Sequence, residues 1–141
     1  MKSFYPLTML FLFLFLFSCS KDFLKSYDTR IIGTWHITDV DRYGWGGGSN
    51  HLPFTSGTFT FYEDGKLNYT DAANNHFNGS WDIVKKQIND ESVRSLQVTA
   101  VDFTNQQVKT EYYDDIQFTG TNRFKATTIS GNRTYITNFR R

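Results

Sequence analysis

The side chains able to do chemistry are few, and most are badly spaced for it. The three histidines, His36, His51 and His76, form no pair at helical or Cys/His ligand spacing, so no zinc site is expected. Asp39-Val40-Asp41 begins like a calcium loop. It then puts Tyr43 at the fifth position and Asn50 at the twelfth, where a bidentate glutamate is needed. Asp114 and Asp115 are adjacent, point to opposite faces of a strand, and make a poor catalytic carboxylate pair. No Gly-x-Ser-x-Gly elbow is present, and Gly44 to Gly48 lacks the Lys-Ser/Thr that completes a phosphate loop. No enzyme, metal or cofactor is therefore expected. Asp114 falls in phase with Tyr112 and Ile116, and is the carboxylate expected to be partly buried with a raised pKa. Cys19 is the one cysteine in the chain, so it has no disulfide partner.

The surroundings of Cys19 give it a different chemistry. Lys2 is followed by nine consecutive apolar residues, Met9 to Phe17. A membrane-spanning helix needs roughly 20 such residues, so this run is expected to be the apolar region of an export signal, residues 1–18. Leu16-Phe17-Ser18-Cys19 then resembles the lipobox of bacterial lipoproteins. That resemblance implies cleavage before Cys19 and acylation of its thiol and its new amine. Each buried CH₂ contributes about 0.8 kcal/mol, so two or three chains hold a protein on a bilayer. Ser20-Lys21-Asp22 places no Asp directly after Cys19 and resembles the start of Bacteroidota lipoproteins. The implied location is the cell envelope, at the outer membrane, on its periplasmic or surface side. The three glycosylation-like triplets at Asn68, Asn78 and Asn132 are read as chance in that setting.

Residues 19–30 are expected to be a lipidated terminus and polar tether, and residues 31–141 a single domain. Without the signal, 14 basic side chains face 14 acidic ones. A near-neutral chain lacks the basic face of a nucleic-acid binder. The remaining 123 residues hold 19 aromatics and 16 threonines, but four leucines and four alanines. Strands favour the first two groups and helices the last two. Short alternating runs predict eight strands: about Ile31 to Asp41, Gly57 to Glu63, Lys66 to Asp71, Phe77 to Val84, Val93 to Phe103, Val108 to Phe118, Arg123 to Ile129, and Arg133 to Arg141. Asp64-Gly65 is expected to be a two-residue hairpin and Gln87 to Ser92 a polar loop. Except for Arg42 to Ser56 every connection is short. The prediction is an all-β, up-and-down antiparallel barrel of eight strands, closed because closure removes unpaired edges.

Gly33-Thr34-Trp35 opens the first strand, and Phe139-Arg140-Arg141 ends the last. Between them stand Phe59, Phe61, Asp64, Gly65, Gly79, Trp81 and Ile83. Gly-x-Trp, long loop, Phe-x-Phe-x-x-Asp-Gly, then Gly-x-Trp-x-Ile resembles the lipocalin-like domains of bacterial lipoproteins. The resemblance implies that Gly33 and Trp35 form the barrel base, with Arg140 stacked on Trp35. A one-residue change of register would put Arg141 there instead.

Two functions are open. One is a binding module holding a small apolar or amphipathic ligand, with Tyr43, Trp45, His51, Phe54, Phe59, Phe61, Tyr69, Trp81 and Tyr112 as candidate lining. The other is a protein-interaction or structural envelope lipoprotein (an assembly factor, inhibitor or immunity protein) with a filled barrel. An aromatic-lined cavity above about 300 Å³ marks the first. A packed interior with exposed aromatics marks the second. The link from Arg42 to Ser56 is expected to be a lid, with Trp45 and Phe54 facing a cavity or a partner, or a loop that tucks its aromatics onto the core.

Overall fold

A computed structural model describes residues 26–45, 52–88 and 90–141. The export segment, Cys19 and most of the tether lie outside the described residues, as does His51. The alternating runs form nine strands: β1 (Gly33–Gly44), β2 (Thr58–Phe61), β3 (Lys66–Thr70), β4 (His76–Ile88), β5 (Glu91–Asp102), β6 (Gln107–Tyr113), β7 (Asp115–Phe118), β8 (Arg123–Ser130) and β9 (Arg133–Arg140). Among the described residues one short helix, α1 (Tyr27–Ile31), precedes them. All pairings are antiparallel, in the order β6-β5-β4-β3-β2-β1-β9-β8-β7. The last strand returns to the first, as expected of the meander.

The expected eight-stranded closed barrel is corrected to an open nine-stranded sheet, and the cause is one residue. The strand expected over Val108 to Phe118 breaks at Asp114. Glu111 and Tyr113 are buried on β6, whereas Ile116 is buried on β7, so the inward phase slips by one across the break. β6 therefore pairs with β5 alone and β7 with β8 alone. The two edges meet without a ladder, β5 lying beside β7 and β6 beside β8. Asp114 stitches this seam. Its N–H donates to Thr127 O at 2.7 Å, its Oδ2 accepts from Ile129 N–H at 2.7 Å, and its carbonyl accepts from Ser95 Oγ at 2.9 Å. Unpaired edges are templates for aggregation, and here the two edges face each other across the seam.

Two turns also differ from expectation. Of Asp64 and Gly65 only the glycine is left-handed, at φ 77°, and its N–H closes a four-residue turn onto Tyr62 O at 3.1 Å. This is the longer hairpin with a left-handed glycine rather than the two-residue type. The expected loop from Gln87 to Ser92 is mostly strand, because β4 and β5 stay in register to Ile88↔Glu91. That ladder is unusually close at Gly79, where a Cβ would lie 1.8 Å from Thr99 O, so no larger residue fits.

The sheet curls around one aromatic core. The end carrying α1, the β2–β3 and β7–β8 turns and Arg141 is here called the base. The end carrying the β1–β2 link and the β8–β9 hairpin is the mouth. Ser26 caps α1 through its side chain, accepting from Thr29 N–H at 3.4 Å. α1 then plugs the base. Ile31 is fully buried, and the Tyr27 ring meets Phe118 edge-on at 5.2 Å. The end of the expected tether is thus part of the folded unit.

Candidate functional site

At the base, Trp35 is fully buried and its indole N–H donates to Ile31 O at 2.6 Å, which satisfies an end carbonyl of α1. The residue stacked on Trp35 is Arg141, not Arg140. Phe139 is buried, so Arg140 points outward by strand alternation. Arg141 leaves the ladder, and its guanidinium lies 4.3 Å from the Trp35 ring centre. It also donates to Arg30 O at 2.8 Å and Ile32 O at 2.6 Å. Gly33, left-handed at φ 117°, runs directly beneath this guanidinium.

Above the base the interior is filled with rings. Phe59 touches Phe54, Phe61, Tyr69 and Phe139 at centroid distances of 5.1, 5.7, 4.6 and 5.8 Å. Phe139 stacks on Phe124 at 4.3 Å, and Phe124 meets Trp35 at 4.8 Å. Phe54, Phe59 and Phe61 are each 1% exposed and Tyr69 is 2% exposed. A ring lining a ligand cavity would show area to that space, and these four show almost none. Their exposed surface has gone into each other.

The other candidate lining residues lie elsewhere. Trp81 is half-buried against Phe61, with its N–H donating to Tyr62 O at 3.0 Å. Tyr43 is paired with Thr134 and 55% exposed on the outer face. Tyr112 is opposite Gln97 on the outer face, where Lys86 lies over its ring at 4.6 Å and donates to its hydroxyl. The expectation that Tyr112 would share an inward face with Ile116 fails because of the slip at Asp114.

Asp114 is partly buried, as expected, and takes the seam hydrogen bonds, while the slip also brings Glu111 inside on β6, at 6% exposure. Thr128 Oγ1 donates to Glu111 Oε1 at 3.2 Å, bridging β6 and β8. Burial is the main cause raising the Glu111 pKa, with the Asp114 charge adding to it. Burial also raises the Tyr113 phenol well above its ordinary value, and pushes Tyr69 up to about 12. Tyr69 donates to Ser56 O at 2.7 Å, whereas Tyr113 Oη and Thr137 Oγ1 are buried without a hydrogen-bond partner among the described residues. The sequence holds no signal for Glu111 or Tyr113 beyond their place beside the double aspartate.

At the mouth the β1–β2 link divides its aromatics. Phe54 goes in, meeting Phe59 and Tyr69 edge-on at 5.1 and 4.8 Å. Trp45 stays out, 94% exposed. Trp45, Leu52, Ser130, Gly131, Asn132, Arg133 and Tyr135 line a surface groove of about 530 Å³. The rim beside it is stiffened by two aspartate-centred turns. Asp71 Oδ1 accepts from Ala73 and Asn75 N–H, both at 2.9 Å, and Asp102 Oδ1 accepts from Thr104 and Asn105 N–H at 2.8 and 3.1 Å. Hydrogen bonds from Asn75 and Asn105 side chains lower the two carboxyl pKa values.

Among the described residues no cluster of His, Cys, Asp or Glu is arranged to hold a metal, and no helix is long and apolar enough to cross a membrane. No family model matches the chain, and neither does any curated protein or solved structure.

Proposed function

We propose that this protein is a non-enzymatic lipoprotein of the cell envelope, anchored through acylated Cys19, whose β domain is a filled scaffold that presents its mouth to a protein partner. The lipobox resemblance supports the anchor. The observation that carries the interaction reading is the division of aromatics. Phe54, Phe59, Phe61 and Tyr69 are spent on one another, while Trp45 is held 94% exposed above a groove of about 530 Å³. An exposed tryptophan beside a concave surface carrying Leu52, Tyr135 and Arg133 is the composition of an interface anchor. A ligand-holding barrel would leave Phe59 and Phe61 facing space instead.

Exchange of Trp45 for a photo-crosslinking phenylalanine analogue tests this in cells. One discrete adduct of protein mass in the envelope fraction, lost when Arg133 and Leu52 are changed to Ser, is expected. Crosslinks spread over many proteins, unaffected by those changes, contradict an interface at the mouth.

A further inference from the structure

A second surface lies on the outer wall near the base. Phe124 and Phe139 point inward, so their neighbours Arg123, Lys125 and Arg140 point outward. Arg123 and Arg140 are directly opposite each other across β8 and β9, and Lys125 lies two residues along the same face. Like charges placed opposite on a sheet destabilise it, and no fold requirement asks for this arrangement. None of the three has a side-chain hydrogen bond or ion pair among the described residues. Together with Thr38, Asp39 and Thr119 they line a groove of about 450 Å³, in which Asp39 is the one acid.

The place of this groove matters as much as its charge. Thr119 N–H donates to Arg123 O at 3.1 Å in the β7–β8 turn, and Arg30 of α1 donates to Gly120 O of the same turn at 3.2 Å. The cap of α1, Ser26, is seven residues after Cys19. Seven residues of chain reach at most about 25 Å. An anchor at Cys19 therefore keeps the base, and the groove beside it, within one short span of the bilayer surface. There the available counter-charges are lipid phosphates.

We propose that Arg123, Lys125 and Arg140 form a phosphate-binding groove that takes anionic headgroups of the membrane to which Cys19 is attached, and so holds the base against that membrane with the mouth outward. The inference rests on the lipid-anchor reading. It would also explain the unrelieved Arg123–Arg140 opposition, because a phosphate between them turns repulsion into two charge-assisted hydrogen bonds.

The processed lipoprotein is reconstituted into vesicles of phosphatidylcholine alone, or of phosphatidylcholine with one third phosphatidylglycerol. Lys125 is then acylated with an amine reagent and followed by peptide mass spectrometry, with Lys109 near the mouth as the internal reference. Headgroup binding predicts that Lys125 reacts about fivefold or more slowly in the anionic vesicles, the effect of roughly one favourable charge contact. High salt should abolish this protection, and so should the double variant R123Q/R140Q, whose positions are both exposed. Equal Lys125 rates in the two vesicles, or equal slowing of Lys109, overturns the proposal. Inorganic phosphate protecting Lys125 in neutral vesicles as well as the anionic lipid does would make this a free-anion site and overturn the membrane assignment. Intact mass of the same preparation reads the anchor separately. An unacylated Cys19 sinks the anchor reading, while the Lys125 comparison still reports on the groove.

Discussion

Replacing Arg141 with Ala should do far more damage than replacing its neighbour Arg140. Arg141 makes a cation–π contact with Trp35 at 4.3 Å and donates to two backbone carbonyls, Arg30 O and Ile32 O, at the end of α1. A contact of this kind at a partly exposed site contributes about 1 kcal/mol. Each charged hydrogen bond, discounted for solvent, adds about 0.5–1 kcal/mol. The sum is about 2–3 kcal/mol, or roughly 10 °C in Tm for a domain of this size. Arg140 makes no such contact and faces Arg123, so Arg140→Ala should change stability by less than about 0.5 kcal/mol, or raise it slightly. Arg141→Lys should fall between, because an ammonium cannot stack and bond both carbonyls as a planar guanidinium does. Guanidinium denaturation followed by tryptophan emission and by circular dichroism reads all three. A large loss in Arg140→Ala with a near-neutral Arg141→Ala would refute both the register of β9 and the described base.

Phe54→Ala should destabilise by about 3–5 kcal/mol, because it opens a cavity between Phe59 and Tyr69, while Trp45→Ala should stay within about 0.5 kcal/mol; the same denaturation curves check the pair. Gly79→Ala should destabilise by about 3 kcal/mol or more, since its Cβ would meet the Thr99 carbonyl on the facing strand, and a normal melting temperature would contradict the β4–β5 register. Glu111 is a buried acid whose pKa is raised from 4.5, so the folded chain keeps a proton that the unfolded chain has released. Its contribution is fully present below about pH 4.5 and is lost as pH rises through the raised folded value. Glu111→Gln should therefore gain stability relative to the parent as pH rises from about 4 to 8, and parallel urea midpoints would contradict this.

Strand positions were legible because alternation is a local property. Phe59 and Phe61, Leu67 and Tyr69, and Phe77 and Trp81 each announce a face. The meander was legible because the links were short. The break at Asp114 was not, because a one-residue slip leaves no periodic trace within an eleven-residue window. That single slip accounts for the extra strand, the open seam, the outward turn of Tyr112 and the burial of Glu111. Arg141 in place of Arg140 is the same difficulty at the end of a strand, where the last side chain is free to leave the ladder. Among the candidate ligand residues Phe59, Phe61 and Tyr69 do face inward, and that much alternation can supply. Whether inward rings enclose space or fill it depends on volumes summed around the whole sheet, which no segment of sequence contains. The link from Arg42 to Ser56 carried aromatics with two possible destinations, and Phe54 and Trp45 took one each.

Native mass spectrometry of the protein released intact from envelopes tests the central claim most directly. A filled scaffold with an acylated Cys19 predicts the mass of the processed chain plus its acyl chains, with no stoichiometric small molecule retained. A co-purifying apolar ligand at one per chain would contradict the filled interior, and a bare chain still carrying its first 18 residues would contradict the anchor.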